Sequence, residues 1–98
     1  MSPIIVHIQR DGIRYQVVRV EGADGRVWFL DLAPARSQRK PGRRLVETPV
    51  ICNGVSLGSL WAIRGAGARD WAVDAQGQRG PAELPWLVAQ ALAQGRLA

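Results

Sequence analysis

Hydrophobic and polar residues alternate with a period of two through most of the chain and switch to helical spacing only near its C-terminal end. That switch predicts strands first and one helix last. In Ile4 to Arg10, Ile4, Val6 and Ile8 fall on one side and His7 and Gln9 on the other, as a half-buried strand requires. Asp11-Gly12 then marks a two-residue hairpin, because the turns that match strand twist need positive φ. With Arg10 opposite Ile13, Ile8 faces Tyr15 and Val6 faces Val17, so both strands share an apolar face.

The second strand runs from Ile13 to Glu21 and the third from Arg26 to Leu32, joined by a turn over Gly22-Ala23-Asp24-Gly25. Pairing Glu21 with Arg26 sets Tyr15 by Leu32, Val17 by Leu30 and Arg19 by Trp28, which continues the first apolar face. The other face is divided, with Val18, Val20, Val27 and Phe29 apolar and His7, Gln9, Arg14, Gln16 and Asp31 polar. A sheet apolar on parts of both faces curls or takes a second layer.

Ala33-Pro34-Ala35 ends the third strand, and Arg36 to Arg44 follows as a loop turning at Pro41-Gly42. Leu45 to Cys52 and Val55 to Arg64 form a further hairpin about Asn53-Gly54, and Pro49 marks the fourth strand as an edge or the site of a bulge. Gly65 to Ala68 reads as a small loop and Arg69 to Ala75 as a sixth strand. The helix starts at Pro81 or Pro85, carries Leu84, Leu87, Val88, Ala91 and Leu92 at helical spacing, and stops at Gly95. The expected fold is therefore mostly β: about six antiparallel strands in consecutive hairpins, forming a small barrel or two-layer sheet, closed by a C-terminal helix. The helix's outer face, Ala89, Gln90, Ala93 and Gln94, carries no charge, which suggests a homodimer contact.

The length of 98 residues suits one domain, 1–98, with a single core. No apolar run approaches the roughly 20 residues that span a bilayer, and the first residues lack the pattern of a signal peptide. With Cys52 the lone cysteine, an intrachain disulfide and a thiolate zinc centre are both excluded, so a cytoplasmic protein is expected. Cys52 itself reads as a small buried hydrophobe.

Candidate chemistry is sparse. Gly54-Val55-Ser56-Leu57-Gly58 matches the spacing of a nucleophile elbow, but Asn53-Gly54 starts a strand rather than a helix, and the lone histidine, His7, precedes it. His7 has no second histidine or suitably spaced carboxylate for metal or acid–base work. Gly65-Ala66-Gly67 lacks the third glycine of a dinucleotide loop. No catalytic set, metal site or cofactor is expected.

Charge changes the picture. Thirteen basic residues against eight acidic ones leave a net charge of +5, and five cations, Arg36, Arg39, Lys40, Arg43 and Arg44, fall within nine residues that hold no acid. Arginine forks match phosphate geometry, so nucleic acid is the leading partner and an acidic protein surface the alternative. Arg14 and Arg19 would extend the site over the sheet, and Trp28, with Arg19 stacked on it, reads either as part of the core or as a base-stacking platform of that site, whereas Trp61, Trp71 and Trp86 read as core residues. Arg14-Tyr15, Val18-Arg19, Gly25-Arg26-Val27, Asp31 and Lys40-Pro41-Gly42-Arg43-Arg44 resemble the sheet of the positive-cofactor-type single-stranded-DNA-binding transcriptional coactivators. The resemblance implies a curved sheet whose face binds melted DNA as a dimer. The chain departs from that family by inserting the hairpin of Val55 to Ala75 before the helix. Two functions follow as expectations: single-stranded DNA or RNA binding, or a protein-interaction module such as a phage or mobile-element accessory protein that binds and blocks a host complex.

Overall fold

The computed structural model describes residues 5–64 and 69–98, with the side chain of Ile5 excepted, so the readings of Ile4 and of the loop Gly65 to Ala68 lie outside the described residues. The strands are β1 (Ile5–Arg10), β2 (Ile13–Glu21), β3 (Val27–Leu32), β4 (Arg36–Lys40), β5 (Arg43–Cys52), β6 (Val55–Ile63), β7 (Trp71–Asp74) and β8 (Arg79–Gly80), followed by one helix, α1 (Leu84–Ala93). All eight strands join one antiparallel sheet in the order β1-β2-β3-β5-β6-β7-β8, with β4 also against β5. The mostly β class and the terminal helix follow the sequence pattern. The sheet stays open rather than closing as a barrel.

Local turn chemistry sets the two hairpins that the sequence marks. Asp11 and Gly12 have φ of 52° and 78°, and Asn53 and Gly54 have 50° and 78°, both in the left-handed region that a primed turn needs. The β1–β2 register matches the expected one, with Ile8 opposite Tyr15 and Val6 opposite Val17.

The β2–β3 register differs by one residue: Glu21 pairs with Val27, so Val20 meets Trp28 and Val18 meets Leu30. Arg26 belongs to the loop instead of the strand, because its carbonyl accepts from the Gly22 N–H at 2.8 Å and its N–H donates to Asp24 Oδ1 at 3.0 Å. A one-residue slip exchanges the faces of a strand. It gathers Val18, Val20, Trp28 and Leu30 on one side, under α1, and leaves Phe29 and Val27 on the other.

β3 and β4 act as one interrupted strand along β5. Leu32 pairs with Val50 and Arg36 with Glu47, so three residues, Ala33 to Ala35, oppose two, Thr48 and Pro49. Ala33 N–H donates to Pro49 O at 2.9 Å, and the missing donor of Pro49 falls where this ladder breaks. Pro49 thus marks a bulge within a central strand. The stretch Arg36 to Arg44, expected as a loop, is mostly strand, because β5 offers a free ladder on that side.

The core lies between the sheet and α1, where Leu30, Val50, Cys52, Leu57, Leu87 and Val88 are the largest fully buried side chains. Each leucine and valine among them contributes about 1.5–3 kcal/mol by leaving water. The helix carries Pro85 in its first turn and packs on β2, β6 and β7. It ends in a Schellman arrangement, with Gly95 at φ 71°, Gly95 N–H donating to Leu92 O at 3.1 Å and Arg96 N–H to Ala91 O at 2.8 Å. Trp86 lies against Gly80, where an added Cβ would fall 2.2 Å from the indole.

Gln90 and Gln94 do not face outward as the sequence suggested. Their amides donate to Asp74 Oδ2 at 3.2 and 2.9 Å, which accounts for the missing charge on that helix face and leaves Ala89 and Ala93 exposed. Among the described residues no helix is long and apolar enough to cross a membrane.

Candidate nucleic-acid interface

The β4–β5 hairpin carries the densest positive charge, and its turn is Pro41-Gly42, with Gly42 at φ 75°. Ladder pairing sets Arg39 opposite Arg44 and Lys40 opposite Arg43. Like charges directly opposed destabilise a ladder, so the arrangement is costly in isolation. Every residue of β4 is exposed. Among the described residues, none of these four cations has a carboxylate partner. Arg36, the fifth, pairs with Glu47 at 3.3 Å, and Glu47 also accepts from Ser59 Oγ at 2.6 Å.

The remaining residues expected in the site separate. Arg19 stands on the face away from α1, opposite Phe29 in the ladder. Arg14 points to the helix side, beyond the end that α1 covers, where it lines a cavity with His7. Of the two readings of Trp28 the core one holds and the base-stacking one is corrected: the residue is 8% exposed, packed with Val18, Val20 and Leu30, and cannot stack on a base. Its cationic neighbour is Arg26, 4.5 Å above the ring, rather than Arg19, as the β2–β3 register dictates.

The helix-free face supplies aromatic surface that the sequence did not assign. Phe29 is 61% exposed, and Val6, Ile13, Val27 and Ile63 are also open to solvent. Tyr15 is half-buried on the same face. Trp61 and Trp71, expected in the core, are instead half-buried ladder partners on this face, stacked 6.4 Å apart with 2° between their planes. The Arg79 guanidinium lies 4.4 Å from the centre of the Trp71 ring. The alternation of Phe29 between the buried Trp28 and Leu30 was the available signal, but it points outward only once the register is known.

Acids on the helix-free face are mostly neutralised: Asp31 binds Arg10 and Glu47 binds Arg36. On the helix side, burial first and then the charge of Asp31 push the Cys52 thiol above its ordinary pKa, consistent with a packed, unreactive side chain. Gly54 to Gly58 forms a hairpin turn and the start of β6, not a strand-to-helix elbow. No protein-family model matches the chain, and no curated protein and no solved structure is significantly similar to it.

Proposed function

We propose that this protein binds single-stranded nucleic acid, with the β4–β5 hairpin holding phosphates and the helix-free sheet face receiving bases. The observation that carries this reading is the two pairs of opposed cations, Arg39 with Arg44 and Lys40 with Arg43, none with a carboxylate partner among the described residues. A hairpin under that repulsion gains when phosphate oxygens bridge its arms. Arg36 and Lys40 share the helix-free face with Trp61 and Trp71 through the ladder, so phosphate contacts lead onto aromatic surface. Single strands suit an open, partly aromatic sheet because unpaired bases can stack on it, which a duplex does not permit.

The test is fluorescence anisotropy with a labelled single strand and its duplex over a salt series. Neutralising four phosphates on a single strand gives a slope of log affinity against log salt of about −3. Binding that is absent at low salt, or insensitive to salt, overturns the proposal.

A protein partner is favoured by one specific observation, the exposed apolar set Val6, Ile13, Val27, Phe29 and Ile63. Such a partner would present an apolar centre with an acidic rim to the basic hairpin. Capture from the native host with and without nuclease separates the readings: a nuclease-resistant protein complex favours this one.

A further inference from the structure

Beyond the interface, the helix side of the sheet holds a cavity of about 430 Å³ at the end that α1 does not cover. Its polar lining comprises His7, Arg14, Gln16, Thr48 and Arg69, with no carboxylate among the lining residues. The room arises where the strand along β5 is interrupted, because Ala33, Pro34 and Ala35 place small side chains over that part of the sheet. His7 and Gln16 are ladder partners and Arg14 is the next residue of β2 on the same face, so three donors come from one hairpin in a set register.

Thr48 carries the independent sign of a ligand. It is 4% exposed, lines the cavity, and its hydroxyl has no hydrogen-bond partner among the described residues. A buried hydroxyl left unpaired is costly, and native structures rarely keep one without a reason. Arg14 and Arg69 are likewise without carboxylate partners among the described residues.

We infer that this cavity binds a phosphate monoester, with Arg14 and Arg69 gripping the phosphate and Gln16, His7 and Thr48 donating to its remaining oxygens. Two guanidinium groups balance the dianion, and the donor set exceeds what a two-oxygen carboxylate can accept. The volume lies within the range of small-ligand sites and leaves space for a group attached to the phosphate. A free nucleotide and the 5′ end of a strand share this chemistry. The site stands apart from the hairpin and does not depend on it.

The probes are phenyl phosphate and 5′-AMP, with acetate as control, read by amide chemical shifts and calorimetry. Both phosphates are expected to saturate and to move the amides of Gln16, Ala33 and Thr48, whereas acetate does not. Arg14→Gln with Arg69→Gln should weaken binding about tenfold or more, while Ser at Arg39, Lys40, Arg43 and Arg44 leaves it unchanged. Thr48→Val, which keeps the shape, should weaken binding several-fold while holding or raising Tm. In the hairpin variant, tighter binding of a 5′-phosphorylated oligonucleotide than of 5′-AMP assigns the strand end, and the reverse assigns the free nucleotide. The proposal is overturned by no saturation up to about 10 mM, or by shifts confined to the hairpin. Unchanged affinity in the double Arg variant overturns it too, as does a Thr48→Val protein that binds at parent strength.

Discussion

Asp74 shows how one side chain holds separate elements together. Its carboxylate accepts from the N–H groups of Gln76 and Gln78 at 2.9 Å each and from the amides of Gln90 and Gln94, tying the β7–β8 turn to the helix. Burial alone would raise its pKa, but hydrogen bonds from the Gln78 N–H, the Gln94 amide, the Gln76 N–H and the Gln90 amide hold it below the ordinary value. A depressed carboxylate contributes stability above its unfolded pKa, about 3.9, and loses it as pH falls through the folded value. Asp74→Ala should therefore cost about 2–3 kcal/mol at neutral pH, since charged hydrogen bonds are lost and the Gln94 amide loses its acceptor, while Gln90 keeps Gln78 Oε1. The mutant should also lose part of the parent's acid-induced destabilisation below pH 4, measured by urea unfolding across a pH series. A parent and mutant with the same acid limb would contradict this account.

Gly58 acts at the same scale for a steric reason. At φ 120° a side chain there is strained, and an added Cβ would sit 2.0 Å from the Val73 carbonyl oxygen and 2.8 Å from Asp74 Cα. These neighbours are backbone and cannot yield without opening the β6–β7 ladder. Gly58→Ala is expected to destabilise by about 3 kcal/mol or more. Thermal unfolding measures it, and a Tm within a degree of the parent contradicts the geometry.

Among the elements, the β4–β5 hairpin and α1 contrast in how their charge is arranged. The helix lacks charge because its glutamines serve Asp74, whereas the hairpin concentrates like charges that oppose one another. Replacing Arg39, Lys40, Arg43 and Arg44 together by Ser removes repulsion from an exposed ladder, so Tm should stay the same or rise slightly. Oligonucleotide affinity should fall and the salt slope should approach zero. A variant that loses several degrees of Tm would show that the hairpin cations serve the fold instead. Much of this element was legible as charge but not as strand. The five cations stand out in the sequence, yet their pairing depends on β5 having an unoccupied edge beyond β3.

For the whole molecule, the one-layer sheet with a single helix divides its apolar residues between a covered face and an open one. Leu30 is fully buried beneath α1, while Phe29, its neighbour in sequence, is 61% exposed on the far side. Leu30→Ala should cost about 3 kcal/mol by leaving a cavity, and Phe29→Ala should cost little stability. If bases stack on the open face, Phe29→Ala should still reduce single-strand affinity by about 1–3 kcal/mol. Paired denaturation and anisotropy measurements check both halves. Equal losses of stability in the two mutants would mean that the open face is covered in solution.

What the sequence by itself determined is what a few adjacent residues decide. Asp11-Gly12 and Asn53-Gly54 strongly favour left-handed turns between alternating strands, so both hairpins and the β1–β2 register follow from local chemistry. Gly95 likewise ends the helix, and Pro85 accommodates its first turn. The tertiary structure alone decided which face became the core. Alternation shows that a strand has two faces, but the loop from Gly22 to Arg26 sets the β2–β3 register by holding Arg26 out of the ladder, and the helix then selects the face bearing Val18, Val20, Trp28 and Leu30. The same selection buried Trp28 and left Phe29, Trp61 and Trp71 on the other side. The cavity around Thr48 belongs to this second class. It joins residues from β1, β2, β5 and the chain before β7, which meet only when the interrupted strand and the uncovered end of the sheet are in place. Turns are governed by backbone energies within a few residues, whereas register, face and cavity are governed by burial shared among distant ones.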